Sequence, residues 1–207
     1  MALVTGGGKG LGSAIARRLA HGGARVAVLG RDLAALAAVA AEIDGLAVVA
    51  DVTNPGAVEA ALGEVLARFG EAPSILVQNA GIAESAKLEA TTDEAWARIF
   101  AVNVTAPFQI ARAVVPSMVA RRWGRVVHVA SNAGLTGYAY TSAYCASKHA
   151  LVGLTRALAV ELARTGVTVN AVCPGFVDTE MTARTVRAIA DKTGRSEAEA
   201  RRALEEL

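Results

Sequence analysis

The chain has 207 residues, 53% of them hydrophobic and 19% charged, a balance that suits one domain with a substantial core and speaks against a disordered tail or a coiled coil. Its formal net charge is +2 and its Lys and Arg are scattered, so no nucleic-acid partner and no anionic membrane surface is expected. Two cysteines, Cys145 and Cys173, without a C-x-x-C pair speak against a disulfide framework or a structural zinc site, and no metal site is assigned. The opening MALVT reads as a strand rather than a basic leader, and no uninterrupted apolar run nears the roughly 20 residues of a bilayer span. A soluble, cytoplasmic protein is expected.

In chain order, short apolar runs alternate with alanine-rich segments of helical period. Strands are predicted at 2–5, 24–30, 45–50, 74–81, 124–131 and 167–175, with helices at 11–22, 32–43, 54–70 and 92–122 and from the segment holding YCASK to about 166. Strands so short and so uniformly apolar are buried on both faces, as in a parallel sheet covered by helices. The expectation is an α/β, doubly wound, Rossmann-type three-layer domain over 1–207, with strand order 3-2-1-4-5-6 and ligands beyond the carboxyl ends of the strands. Asn54 before Pro55 signals a helix start, and Ser196 followed by Glu199 reads as a capping box opening a last helix. The charged segment 176–207 is expected to be a helical substrate lid. A chain ending at Leu207 leaves the sheet without a further strand beside the sixth, so residues beyond it are expected.

The first strand runs into Thr5-Gly6-Gly7-Gly8-Lys9-Gly10-Leu11-Gly12 and then a helix beginning near Leu11. Glycines there allow a tight turn, close backbone approach to a pyrophosphate and close helix packing, and the helix N-terminus adds partial positive charge. The spacing is G-x-x-x-G-x-G, which departs from G-x-G-x-x-G while keeping the strand–turn–helix context. At the end of the second strand, Asp32 is expected to cap the next helix, leaving Gly30 or Arg31 towards the ribose. Arg31, with Lys9 from the glycine loop, suits a 2′-phosphate, so NADP(H) is favoured, with NAD(H) as the alternative.

Tyr144 and Lys148, in YCASK, lie four residues apart and so share a helical face. Ser131 is expected to end the fifth strand, Asn103 interrupts the fourth helical segment, and Asn79-Ala80-Gly81 follows the fourth strand. Together, T-G-x-x-x-G-x-G, N-A-G, the helical Asn, Ser thirteen residues before Tyr, Y-x-x-x-K and P-G-x-V-x-T at 174–179 resemble the short-chain dehydrogenase/reductase family over essentially the whole chain.

That resemblance implies roles. Tyr144 would be the acid/base, protonating the nascent alkoxide or taking the alcohol's proton in reverse, which needs its phenol to fall from about 10 towards neutrality. Lys148 would supply the cation that favours phenolate and bind the nicotinamide ribose, Ser131 would hold the substrate oxygen, and Asn103 would hold a relay water. Gly6, Lys9, Gly10, Leu11, Gly12 and Arg31 would bind the cofactor's phosphates, Asp51 and Val52 its adenine, and Asn79, Ala80 and Gly81 its flank. Pro174, Gly175, Val177 and Thr179 would meet its carboxamide end. His128 reads as a hydrogen-bonded core residue, His149 as packing or interface, and Cys145 lacks the His–acid partners of a thiol nucleophile.

Residues 134–140 and the lid would form the substrate's surroundings. Their wording, with ELARTGVTVNAVCPGFVDTEM, is similar to members acting on 3-oxoacyl thioesters of acyl carrier protein or CoA, where Arg184, Arg187 and Lys192 could attract a phosphopantetheine or CoA phosphate. The alternatives are an alcohol dehydrogenase for a sugar, steroid or 3-hydroxy acid, and a non-enzymatic dinucleotide-binding protein. The family resemblance also implies a homodimer or homotetramer through the fourth and fifth helices.

Overall fold

The computed structural model describes residues 1–177, 182–183, 186–187, 190, 194 and 196–205. Six parallel strands are β1 (Ala2–Thr5), β2 (Val26–Gly30), β3 (Leu46–Val49), β4 (Ile75–Gln78), β5 (Gly124–Val129) and β6 (Val167–Val172), in the order β3-β2-β1-β4-β5-β6. The order reverses between β1, which pairs with β2, and β4, so the crevice beyond their carboxyl ends is the binding position of this topology. All four residues of β1 are buried, as are the first four of β2, which is why both read as uninterrupted apolar runs.

Helices α1 (Gly10–His21) and α2 (Leu33–Glu42) cover one face of the sheet through Ala16, Leu36, Val39 and Ala40. On the other face lie α3 (Pro55–Phe69), α5 (Ala106–Ala120) and α6 (Ser142–Glu161), with Val58, Val65, Ile110, Val114 and Met118 in the core. Local signals set the helix starts. Asn54 Oδ1 accepts from Ala57 N at 3.1 Å with Pro55 behind it, and Asp32 Oδ1 caps α2 by accepting from Ala35 N at 3.1 Å. The Ser196–Glu199 box opens α7 (Glu197–Glu205), with Ser196 N donating to Glu199 Oε2 at 2.9 Å and Glu199 N to Ser196 Oγ at 3.3 Å.

The fourth helical segment is three pieces: α4 (Asp93–Phe100), a π-helical turn (Ala101–Thr105) and α5. As one run, 93–120 spans 28 residues with a mean hydropathy of 1.3 in its most apolar stretch, long and apolar enough to cross a bilayer. This corrects the reading of the uninterrupted sequence. The run reaches that length only because helix continues through the π turn, and its apolar residues Ile99, Ile110, Val114 and Met118 are buried, as in a core helix.

Candidate active site

The glycine turn is held from two sides. Gly6 and Gly10 have φ of +65° and +51°, a backbone region costly for other residues. A Cβ on Gly12 would lie 2.1 Å from Gly6 O, so the first turn of α1 can reach the loop only with glycine there. Asn79, just past β4, donates its side-chain amide to Thr5 O and Gly6 O at 3.1 Å each, while Thr5 Oγ1 accepts from the backbone N–H of Asn79 and Ala80, both at 3.1 Å. Two strand ends are thereby stitched beside the N-terminus of α1, which begins at Gly10 rather than Leu11.

Around the end of β2 the charges are already paired. Lys9 Nζ lies 2.7 Å from Asp32 Oδ2, and Arg31 Nη1 lies 3.9 Å from Asp51 Oδ2, all four side chains being well exposed. Hydrogen bonding to Lys9 first, then to the backbone of Ala35, holds the Asp32 carboxyl below the usual range. Asp51 is lowered by hydrogen bonds from the backbone and then the hydroxyl of Thr53. Asp32 is therefore both a helix cap and the counter-ion of a cation that the sequence pointed at a phosphate.

Beyond β4 and β5 the site is buried. Ser131 lies two residues past the end of β5, not on it. Pairing stops at Val129 with Val172, and the chain then turns with Asn132 N bonded to Pro174 O at 2.9 Å. From this turn, Ser131 Oγ accepts from Ala133 N and donates to Asn132 Oδ1, both at 3.1 Å. Asn132 Nδ2 donates to the Tyr138 hydroxyl, and the Tyr138 ring stands edge-on to Phe176, centroids 6.5 Å apart. These contacts join 134–140 to the segment after Pro174-Gly175.

Lys148 is only 4% exposed; its Nζ donates to Val129 O at 2.9 Å and lies 5.7 Å from the centroid of the Tyr144 ring. Burial lowers its pKa from 10.5 to about 8, with a smaller opposing influence from Cys173. Burial also raises the Tyr144 phenol above its ordinary value, against a hydrogen bond with Ser131 that lowers it. The protein alone thus moves the phenol in the direction opposite to the sequence expectation, because removing a phenolate from water costs more than these neighbours return.

Asn103, in the π turn and 1% exposed, is clipped to the loop after β4: Ile82 N donates to its Oδ1 and its Nδ2 to Ile82 O, both at 2.9 Å. A Cβ on Gly81 would lie 3.3 Å from Asn103 Oδ1 and 3.5 Å from Lys148 Nζ. This glycine leaves a cradle over the buried cation that suits a nicotinamide ribose. Beneath it His128 is fully buried, with Nδ1 2.7 Å from Thr155 Oγ1 and a pKa lowered to about 4 by burial and then by Lys148.

The sequence model of the short chain dehydrogenase family matches residues 1–190. This chain belongs to that family. Among curated relatives, a putative ketoacyl reductase of granaticin polyketide synthase from Streptomyces violaceoruber is 42% identical over 191 residues, covering 89% of this chain and 70% of the relative. A D-beta-hydroxybutyrate dehydrogenase from Cupriavidus necator is 41% identical over 208 residues, covering 98% and 80%. In solved structures, an actinorhodin polyketide ketoreductase variant with NADPH superposes with a TM-score of 0.92 at 38% identity, over 96% of this chain and 78% of that one. A 3-ketoacyl-(acyl-carrier-protein) reductase from Brucella melitensis, complexed with NADH, gives 0.84 at 36%, over 87% and 77%. As a short-chain dehydrogenase the chain is an oxidoreductase acting between CH–OH and keto groups with a nicotinamide nucleotide.

In this short-chain dehydrogenase, Asn103, Tyr144 and Lys148 gather beyond the central strands with Asn79, Ala80 and Gly81, and Ser131 stands on the turn after β5. Gly6, Lys9, Gly10, Leu11 and Gly12 form the turn into α1, with Arg31, Asp51 and Val52 at the ends of β2 and β3. Pro174, Gly175 and Val177 follow β6; Thr179, Arg184 and Lys192 lie outside the described residues, whereas Arg187 lies within them. Cys145 is buried with Sγ 3.2 Å from Thr141 Oγ1, and His149 Nδ1 is 2.9 Å from Cys145 O. The sequence reading gave no role to Thr5, Asn132 or Ser147, nor to Tyr138 as a partner of Phe176. Thr5, which opens T-G-x-x-x-G-x-G, and Ser147, inside YCASK, carried a signal.

Proposed function

We propose that this short-chain dehydrogenase is an NADP(H)-dependent reductase of 3-oxoacyl thioesters, with Tyr144 as acid/base. The observation that carries the reading is the juxtaposition of the Tyr144 ring, 5.7 Å from Lys148 Nζ, with that cation kept 4% exposed below Gly81. When bound, the nicotinamide supplies a hydride donor or acceptor and, when oxidised, a positive charge. The glycine turn and the N-terminus of α1 would hold its phosphates, and Lys148 its ribose, in the space that Gly81 leaves.

Ser131 Oγ, its hydrogen turned from Asn132 Oδ1, and Tyr144 Oη would then grip the carbonyl oxygen, and Tyr144 would give it a proton on reduction or remove one on oxidation. Lys148 below pH 8 is an ammonium that stabilises the phenolate left behind, and Asn103 would hold the water through which Lys148 regains a proton. Lys9 and Arg31 would exchange their carboxylate partners for a 2′-phosphate, a modest exchange because exposed ion pairs are weak.

Names of the polyketide and acyl-carrier-protein relatives support a thioester; in this reading 176–207 is its lid within a single domain. A second reading, oxidation of a 3-hydroxy acid, is favoured by the similarity to D-beta-hydroxybutyrate dehydrogenase. Partners are small molecules and a second copy of the chain, as homodimer or homotetramer, and a cytoplasmic location belongs to the same reading. The test is consumption or formation of NADPH and NADH at 340 nm with acetoacetyl-CoA and with 3-hydroxybutyrate, for wild type and Tyr144→Phe. Turnover of acetoacetyl-CoA with NADPH, lost in the variant, supports the first reading; NAD-dependent oxidation alone replaces it with the second.

A further inference from the structure

Between Tyr144 and Lys148 the motif holds Ser147, a residue with no solvent exposure. Its Oγ donates to Tyr144 O at 2.7 Å and accepts from Asn103 Nδ2 at 3.0 Å. These directions follow from what each group can do. Ile82 N–H can only donate, so Asn103 turns Oδ1 towards it, and the Asn103 NH2 is left to serve Ile82 O and Ser147 Oγ. A hydroxyl that accepts there has its single hydrogen available for Tyr144 O.

We propose that Ser147 is a positioning residue for the reaction: it ties the Tyr144 turn of α6 to Asn103, and through Asn103 to the loop at Ile82, fixing the phenol's place beside Lys148. The proposal rests on Tyr144 being the acid/base. A serine bonding back to the carbonyl three residues earlier is common in helices and needs no partner outside its own helix. Here the oxygen also receives a side chain from another element, at a site sealed from water. Removing it leaves an Asn103 N–H buried without an acceptor, which favours rotation or drift of the whole clip. Alanine differs from serine only by the hydroxyl that makes both bonds, so the replacement tests the link.

Ser147→Ala is expected to lower kcat about 10- to 100-fold, the loss typical of a misplaced reacting group, with both KM values within about twofold of wild type. In an Asn103→Ala background the same change is expected to add less than about twofold, because the link is already cut. A titration without substrate runs beside the kinetics. The tyrosinate absorbance of each protein, less that of its Tyr144→Phe counterpart, gives the Tyr144 phenol alone, and Ser147→Ala should displace it by about half a pH unit or more.

Wild-type kcat with an unmoved phenol overturns the proposal, as does a full multiplicative loss in the double variant, which would mark a packing role. If Tyr144→Phe keeps its turnover, the acid/base reading fails while the titration still decides whether Ser147 places the phenol. Ser147→Cys, of similar size and weaker as hydrogen-bond donor and acceptor, should fall between wild type and Ala; a value at or below Ala also counts against the link.

Discussion

The two ends of the site are built on opposite electrostatic terms. Beyond β2 and β3, Lys9, Arg31, Asp32 and Asp51 are solvated and paired, so each contact is individually weak and exchangeable. Beyond β4 and β5, Asn103, Ser131, Ser147 and Lys148 are buried, held mainly by neutral hydrogen bonds to backbone, with one cation kept dry. The lesson is that exposed ion pairs can be exchanged one at a time, whereas the buried side chains of Asn103 and Lys148 are tied to fixed partners.

The sharpest way to break that contrast is Tyr144→Phe. It should lower kcat about 10²- to 10⁴-fold with cofactor affinity retained, measured by steady-state kinetics and by quenching on NADPH addition. Loss of cofactor binding instead would place Tyr144 on the binding side of the division.

Next is Lys148→Met, expected to abolish turnover and raise the melting temperature together. With a folded pKa of about 8 against 10.5 unfolded, the buried ammonium costs about 3 kcal/mol below pH 8. The sign follows from proton binding. The unfolded chain holds the proton more tightly, so the cost is complete below pH 8, shrinks as pH rises from 8 to 10.5 and is gone above it. Denaturant midpoints of variant and wild type should therefore converge across that window, and a gap independent of pH would show that Lys148 is not desolvated.

Gly12→Ala brings a methyl to 2.1 Å from Gly6 O and should cost about 1–3 kcal/mol of stability along with cofactor affinity, read by thermal melting and titration. The smallest effect is expected from Asp32→Asn. Asparagine keeps the helix cap but releases the charge on Lys9, so KM for NADPH should fall by up to about fivefold with KM for NADH and the melting temperature unchanged. An unaltered ratio of the two KM values would remove Lys9 from cofactor choice.

Helix starts and the family motifs were legible in the sequence because they rest on local signals, and the strand order followed from the rule of right-handed crossovers. Apolar runs such as ALVT and VAVLG, the caps at Asp32 and Asn54, the Ser196–Glu199 box and the glycine turn all act within a few residues. Tyr144 and Lys148 were legible because helical spacing alone puts them on one face. What only the tertiary structure decided lies between elements distant in the chain. Lys9 and Arg31 already paired with Asp32 and Asp51, Ser131 carried past the end of β5, one apolar stripe of 93–120 turned into the core, Tyr138 set against Phe176, and Asn103 joined to Ile82 and Ser147 were not readable from any window of residues. Burial made the same difference for charge: composition counts Lys148 as an ordinary cation and Tyr144 as an ordinary phenol, and only the packed sheet and helices, by excluding water, move one pKa down and the other up.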